Sequence, residues 1–157
     1  MVEYRIATET DLKPLAHMRY EYWLEDGHHP AEVDKEAFVH ECETFLQEGL
    51  VTKQWTYWLA VLDEEIVSHI FVQRVAKVPK PSKLHDAFGY VSNVYTKPSY
   101  RGQGIGANLL KHVQAWAEKQ DLEFLISWPS EASTRFYERA GFAATEAVEY
   151  SVRAYIN

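Results

Sequence analysis

The chain has 157 residues, 46% of them hydrophobic and 25% charged, with a net charge of −7. This fits one globular domain over residues 1–157 and excludes a disordered, fibrous or membrane-spanning chain, since no apolar run nears the ~20 residues a bilayer needs. An acidic chain with scattered basic residues is a poor nucleic-acid binder, and the single cysteine, Cys42, with no Cys/His cluster leaves neither a disulfide nor a zinc site, so a cytoplasmic, metal-free protein is expected.

The first residues, Met1-Val2-Glu3-Tyr4-Arg5, show no basic segment leading into an apolar stretch, so no signal peptide is expected. Residues 2–7 read as a strand. Thr8 and Asp11 carry helix-start chemistry, and Leu12, Leu15, Met18 and Tyr22 follow at helical spacing as far as Asp26-Gly27. His28-His29-Pro30 forms a loop. A second helix fits residues 34–49, with Phe38, Cys42, Phe45 and Leu46 on one face and Gly49 as its cap. The period then falls to 2. Residues 55–62 and 66–73 are strands around a turn at Asp63-Glu64-Glu65. Residues 78–82 form a loop and 88–96 a strand stopped by Pro98. A glycine turn at 101–106 opens a helix to about residue 120, with Leu109, Leu110, Val113, Trp116 and Ala117 facing inward. A strand at 124–128, a short helix at 133–140 capped by Gly141, and one or two last strands with Val148, Tyr150, Val152, Ala154 and Ile156 alternating complete the chain.

A strand, crossover helix and strand make a right-handed parallel unit, whereas the earlier hairpin is antiparallel. The expected fold is therefore α/β with α+β character, built on a mixed sheet with helices on both faces.

The most informative residues are Arg101-Gly102-Gln103-Gly104-Ile105-Gly106, between a strand and a helix. Glycines admit positive φ and close backbone approach, and the helix start presents free N–H groups and a positive dipole end, which together hold a phosphate. Arg101 adds a charge. A P-loop would need G-K-[ST], and Gly106-Ala107-Asn108 lacks it. The dinucleotide fingerprint is met loosely by Gly102, Gly104 and Ala107, but the acidic residue it expects does not fall at the end of the next strand.

The third pattern is R/Q-x-x-G-x-G/A, filled by Arg101, Gly104 and Gly106. With the lead-in Asn93-Val94-Tyr95-Thr96-Lys97-Pro98-Ser99-Tyr100 and the later Phe136-Tyr137-Glu138-Arg139-Ala140-Gly141-Phe142, the chain resembles the GNAT superfamily of acetyl-CoA-dependent N-acetyltransferases. The resemblance implies a splayed mixed sheet of about six to seven strands with about four helices, a single N-acetyltransferase domain over 1–157, and acetyl-CoA as cosubstrate without a metal. It places the pantetheine arm on the backbone of Val94, Tyr95 and Thr96, where the fourth and fifth strands part. It places the pyrophosphate on backbone N–H groups of Arg101, Gly102, Gln103, Gly104, Ile105, Gly106 and Ala107.

The reaction it implies is direct acetyl transfer to a primary amine of a small molecule or protein. An N–H near Val94, on a bulged fourth strand, would meet the developing oxyanion, and Tyr137 would protonate the departing thiolate. Alternatively, Tyr137 merely packs, as Phe136 does. Where many members carry an asparagine seven residues before that tyrosine this chain has Ser130, and Ser133 is a second small polar candidate beside the cofactor. The general base stays open. A water held by Ser92 or Asn93 could relay the proton, Asp86 lies just before the strand, and Glu21, Glu25, His28 and His29 border the acceptor side. His69, inside a strand, is read as a sheet residue and Cys42 as core. Trp128-Pro129 is either a wall for the pantetheine arm or core. The acidic charge favours a cationic acceptor, and a homodimer is expected from the family and from symmetry statistics. Two rival readings are a non-catalytic acetyl-CoA-binding regulatory domain of the same fold and a Rossmann-type nucleotide-binding domain.

Overall fold

In the computed structural model, which describes residues 1–153, strand β1 (Glu3–Ile6) leads through a 3-10 turn at Glu9–Asp11 into helix α1 (Leu12–Glu25). Helix α2 (Lys35–Thr52) follows, then strands β2 (Trp55–Leu62), β3 (Glu65–Ala76) and β4 (Ala87–Thr96). Helix α3 (Ile105–Lys119), strand β5 (Leu125–Ile126) and helix α4 (Thr134–Arg139) complete the elements. The strands form one sheet in the order β1-β2-β3-β4-β5, antiparallel except for the parallel pair β4–β5. The mixed sheet and its flanking helices match the expectation.

Local chemistry sets the boundaries. The Asp11 carboxylate accepts from the Thr8 backbone N–H at 2.7 Å and pairs with both terminal nitrogens of Arg5 at 2.8 and 2.9 Å, fixing the entry to α1. The Asp34 side chain caps α2 by accepting from the Ala37 N–H at 3.1 Å. Asp63 and Glu64 both take positive φ, so the β2–β3 hairpin turns in two residues.

Alternation along the strands divides the core. Leu12, Leu15, Met18 and Leu46 from α1 and α2 pack on Tyr57, Leu59, Phe71 and Tyr95. On the opposite face Ile105, Leu109, Leu110 and Val113 of α3, with Tyr137 of α4, pack on Ala60, Ile70, Val72 and Val91.

Four expectations need correction. Among the described residues the sheet has five strands rather than six or seven. The expected last strands do not form among the described residues: Val148, Tyr150 and Val152 are almost fully exposed, and Ala154 and Ile156 lie outside the described residues. Strand 124–128 shrinks to Leu125–Ile126; on either side of it Phe124 stacks on Phe88 and Trp128 lies edge-on to Tyr90. Gly49 does not end α2, which runs on to Thr52 with Lys53 in the left-handed region. Instead Gly49 is buried against β2: a Cβ there would overlap the Tyr57 hydroxyl and stand 2.9 Å from Trp55 Cβ. The inward stripe of α2 is accordingly Val39, Cys42, Leu46 and Gly49, while Phe45 is exposed.

Candidate functional site

The glycine turn is built by conformation and by approach. Gly102 and Gly104 hold φ of +76° and +78°, which a side chain would strain. Gly106 has ordinary geometry, but a Cβ there would stand 3.3 Å from Thr96 Oγ1 and 3.5 Å from Phe136 Cε2. The Arg101 N–H meets the Pro98 carbonyl and the Asn108 N–H meets Gly104. Between them, residues 102–107 donate to no backbone carbonyl among the described residues, as a helix start leaves them. They open on a cavity of about 490 Å³ lined by Thr96, Gly104, Gly106, Lys111, Phe136 and Arg139, among others. Both segments singled out in the sequence, 30 residues apart, thus meet in one place.

Arg101 does not point its charge at this turn alone. Its Nε donates to the Thr96 carbonyl at 2.8 Å and its Nη2 lies 2.7 Å from a Glu25 carboxylate oxygen. The other Glu25 oxygen accepts from the Tyr95 hydroxyl at 3.1 Å. The motif arginine therefore clasps the end of β4 to the end of α1. Lys111 and Arg139, which the sequence reading missed, bring cationic side chains to the cavity. Lys111 stands one helical turn beyond Ala107, so the spacing could have revealed it.

Beside the cavity the sheet opens. β4 pairs with β5 at Gly89–Leu125 and Tyr90–Ile126, and among the described residues no strand covers that edge from 91 to 96. β4 also bulges. Phe71 opposes Ser92 and His69 opposes Tyr95, so Asn93 and Val94 share one β3 position, and Asn93 takes φ +51°. The extra residue reverses the alternation: Val94 packs on the α3 side and Tyr95 on the α1 side. The Asn93 amide donates to Ser92 Oγ at 3.0 Å, while its backbone carbonyl lies 2.6 Å from His69 Nδ1.

Tyr137 is buried, with Phe136 and Phe142 edge-on at 5.2 and 5.3 Å. Burial raises the pKa of its phenol, and the Ser127 hydroxyl opposes this more weakly. The phenol is therefore protonated at neutral pH and able to donate. Ser130 and Ser133 hydrogen-bond each other at 3.0 Å and close the turn before α4; neither lines the 490 Å³ cavity. The other polar candidates are engaged elsewhere. His28 stacks on Trp23 at 4.6 Å, and His29 accepts from the Ala31 N–H at 3.0 Å. Asp86, at the far end of β4, lies beside Lys77 and Lys83. His69 is buried, which pulls its pKa down to about 4 despite the Asn93 carbonyl, so its ring is neutral at pH 7. Among the described residues no group of three or more His, Cys, Asp or Glu is placed to hold a metal ion. None of the described helices is long and apolar enough to cross a membrane.

The chain is similar to a glucosamine 6-phosphate N-acetyltransferase of Trypanosoma brucei brucei, 35% identical over 68 residues. That match covers 43% of this chain and 46% of the relative, so it spans about half the relative's length. Among solved structures, it resembles a predicted acetyltransferase with acetyl-CoA from Clostridium acetobutylicum, at TM-score 0.79 and 23% identity over 97% of each chain. It also resembles a GCN5-related N-acetyltransferase from Ralstonia eutropha, at TM-score 0.77 and 23% identity, over 97% of this chain and 99% of that one. These structures share the fold. The model of the acetyltransferase (GNAT) family matches residues 12–142. The chain, with its glycine turn at the head of α3 and its opened β4–β5 edge, belongs to the GNAT acetyltransferase family.

Proposed function

We propose that this protein moves the acetyl group of acetyl-CoA to the primary amine of a small molecule or protein, by direct attack within a ternary complex. The observation that carries the reading is the convergence of the glycine turn, the unpaired β4 edge and the Phe136-Tyr137 segment. The residues fit the cosubstrate. The unpaired N–H row from Gly102 to Ala107 suits a pyrophosphate, the space beside Gly106 would be filled by any side chain, and Lys111 and Arg139 add positive charge.

Bound acetyl-CoA would supply an activated acetyl thioester. The β4 backbone at Val94, Tyr95 and Thr96 would bond the pantetheine amides, as an unpaired strand edge does. The Val94 N–H, at the bulge, would donate to the carbonyl oxygen as charge develops there. Tyr137 would give its proton to the departing sulfur as the C–S bond breaks and the C–N bond forms. Asn93, whose amide already donates to Ser92, keeps Oδ1 to accept from an amine N–H and align it, and the amine proton leaves through water. Ser130 and Ser133 would act at one remove, by shaping the turn that aims α4.

The relative's substrate makes glucosamine 6-phosphate the first acceptor to try, and the net charge of −7 adds polyamines and aminoglycosides. Thermal melting with acetyl-CoA or NAD, followed by free-thiol release over that amine panel, tests the proposal. Acetyl-CoA should raise the melting temperature, NAD should not, and at least one amine should accelerate thiol release. Stabilisation by acetyl-CoA with no amine-dependent release would favour a non-catalytic acetyl-CoA-binding domain.

A further inference from the structure

His69 is a buried polar side chain that the mechanism above does not use. It is 1% exposed, in the middle of β3, and its ring lies beside those of Phe71, at 4.7 Å, and Tyr95, at 5.7 Å. Its two nitrogens differ sharply. Nδ1 stands 2.6 Å from the Asn93 carbonyl oxygen, whereas Nε2 is buried with no partner. A carbonyl oxygen can only accept, so Nδ1 carries the hydrogen and Nε2 the bare lone pair.

The carbonyl that Nδ1 reaches belongs to the bulge. In a regular antiparallel ladder the β4 carbonyls point alternately toward β3, whose backbone N–H groups donate to them, and away from it. The bulge sets two β4 residues, Asn93 and Val94, against Ile70 and takes the Asn93 carbonyl out of register. Asn93 also holds φ +51°, a conformation that asparagine tolerates but does not favour without support. The imidazole donates to this carbonyl from a position that packing on Phe71 and Tyr95 holds.

We propose that His69 is the positioning residue of the reaction centre: its Nδ1–H, bonded to the Asn93 carbonyl, holds the β4 bulge that aims the Val94 N–H and the Asn93 side chain at the reacting acetyl group. This rests on the acetyl-transfer reading. The bulge fixes the plane of the 93–94 peptide, whose two ends are the Asn93 carbonyl and the Val94 N–H. Holding the carbonyl therefore fixes the direction of the N–H.

Two variants separate positioning from packing. His69→Leu keeps an apolar side chain and removes the donor. His69→Asn places an amide N–H near the position of Nδ1. The leucine variant should bind acetyl-CoA with a Kd within about twofold of the parent and lose about 100-fold in kcat, the scale of a misplaced oxyanion donor. The asparagine variant should recover kcat to within about tenfold of the parent. Equal loss in both variants, or an unchanged kcat in His69→Leu, overturns the proposal. Should His69→Leu not fold, His69→Gln replaces it: its amide reaches the Nε2 position instead and should not rescue. A readout independent of turnover distinguishes failure here from failure of the acetyl-transfer reading. The imidazole 15N spectrum at pH 7 should show hydrogen on Nδ1 alone, and hydrogen exchange at the Val94 amide should quicken in the leucine but not the asparagine variant. Nδ1 without a hydrogen, or exchange unchanged by His69→Leu, refutes the hold on the bulge even if no acceptor amine is found.

Discussion

Replacing Tyr137 by phenylalanine removes one oxygen from a side chain that is 7% exposed and leaves its ring contacts with Phe136 and Phe142 in place. The interaction at stake is at most one hydrogen bond with the neighbouring Ser127 hydroxyl. A neutral hydrogen bond of this kind is worth about 1 kcal/mol, so the melting temperature should fall by no more than roughly 2–4 °C for a chain of this size. Phe136, not Tyr137, lines the cavity at the glycine turn, so KM for acetyl-CoA should stay within about twofold. If the phenol protonates the leaving sulfur, kcat should fall by about 100-fold or more, and each tenfold step corresponds to about 1.4 kcal/mol of transition-state stabilisation. The pH dependence has a definite sign. Burial raises the phenol's pKa above its ordinary 10.0, so the acid form persists through neutral and mildly alkaline pH. Loss of activity from its ionisation should therefore begin only above about pH 10 in the parent. Steady-state thiol release by the two proteins, from pH 6 to 11, measures all of this. A Tyr137→Phe enzyme with unchanged kcat refutes the acid role, and a large rise in KM with kcat preserved would make Tyr137 a binding residue instead.

Gly106→Val should abolish the thermal shift given by acetyl-CoA, because its side chain would occupy the space between Thr96 and Phe136; a retained shift places the pyrophosphate elsewhere. Lys111→Ala should raise KM for acetyl-CoA about tenfold with kcat little changed, as expected for loss of one charge-assisted contact. Gly49→Ala should lower stability by about 2–4 kcal/mol and the melting temperature by roughly 5–15 °C, since the new methyl overlaps the Tyr57 hydroxyl that donates to the Leu46 carbonyl. Asp11→Asn should cost about 1–3 kcal/mol in chemical denaturation at pH 7. The Arg5 guanidinium, helped by the Thr8 N–H, holds the Asp11 carboxyl below the usual 3.8, so its contribution is complete above that value and is lost as pH falls through the lower folded value. The difference between parent and variant should vanish at the acid end.

Much of the site was legible because it is local. The glycines at 102 and 104 adopt the left-handed conformation that their residue type announces, and the free N–H groups follow from the start of a helix at Ile105. The Phe136-Tyr137 segment was legible as a motif, and the crossover helix brings it back to the turn. Arg101 was not, because the charge that draws its side chain away, Glu25, lies 76 residues earlier in the chain. Nor was the stripe of α2. Helical spacing put Phe45 on the inner face, whereas the structure buries Val39 and Gly49 there and leaves Phe45 exposed, edge-on to Trp55. The last strands failed for a related reason. Alternating Val148, Tyr150 and Val152 satisfy the pattern of a strand, but β-structure needs a neighbour, and none pairs with them among the described residues.

The sequence by itself determined the order of elements as far as α4, the mixed sheet, the division of the core into two faces and the glycine turn at the head of α3, because propensity, periodicity and glycine chemistry act within a few residues. Only the tertiary structure decided where the bulge in β4 falls, which residue satisfies its displaced carbonyl, and which cations face the cavity. Those outcomes depend on the register of β3 against β4 and on side chains far apart in sequence, such as His69 with Asn93 and Glu25 with Arg101. The net charge of −7 thus resolves into particular groups: one acidic side chain holds the motif arginine, while Lys111 and Arg139 remain at the cavity.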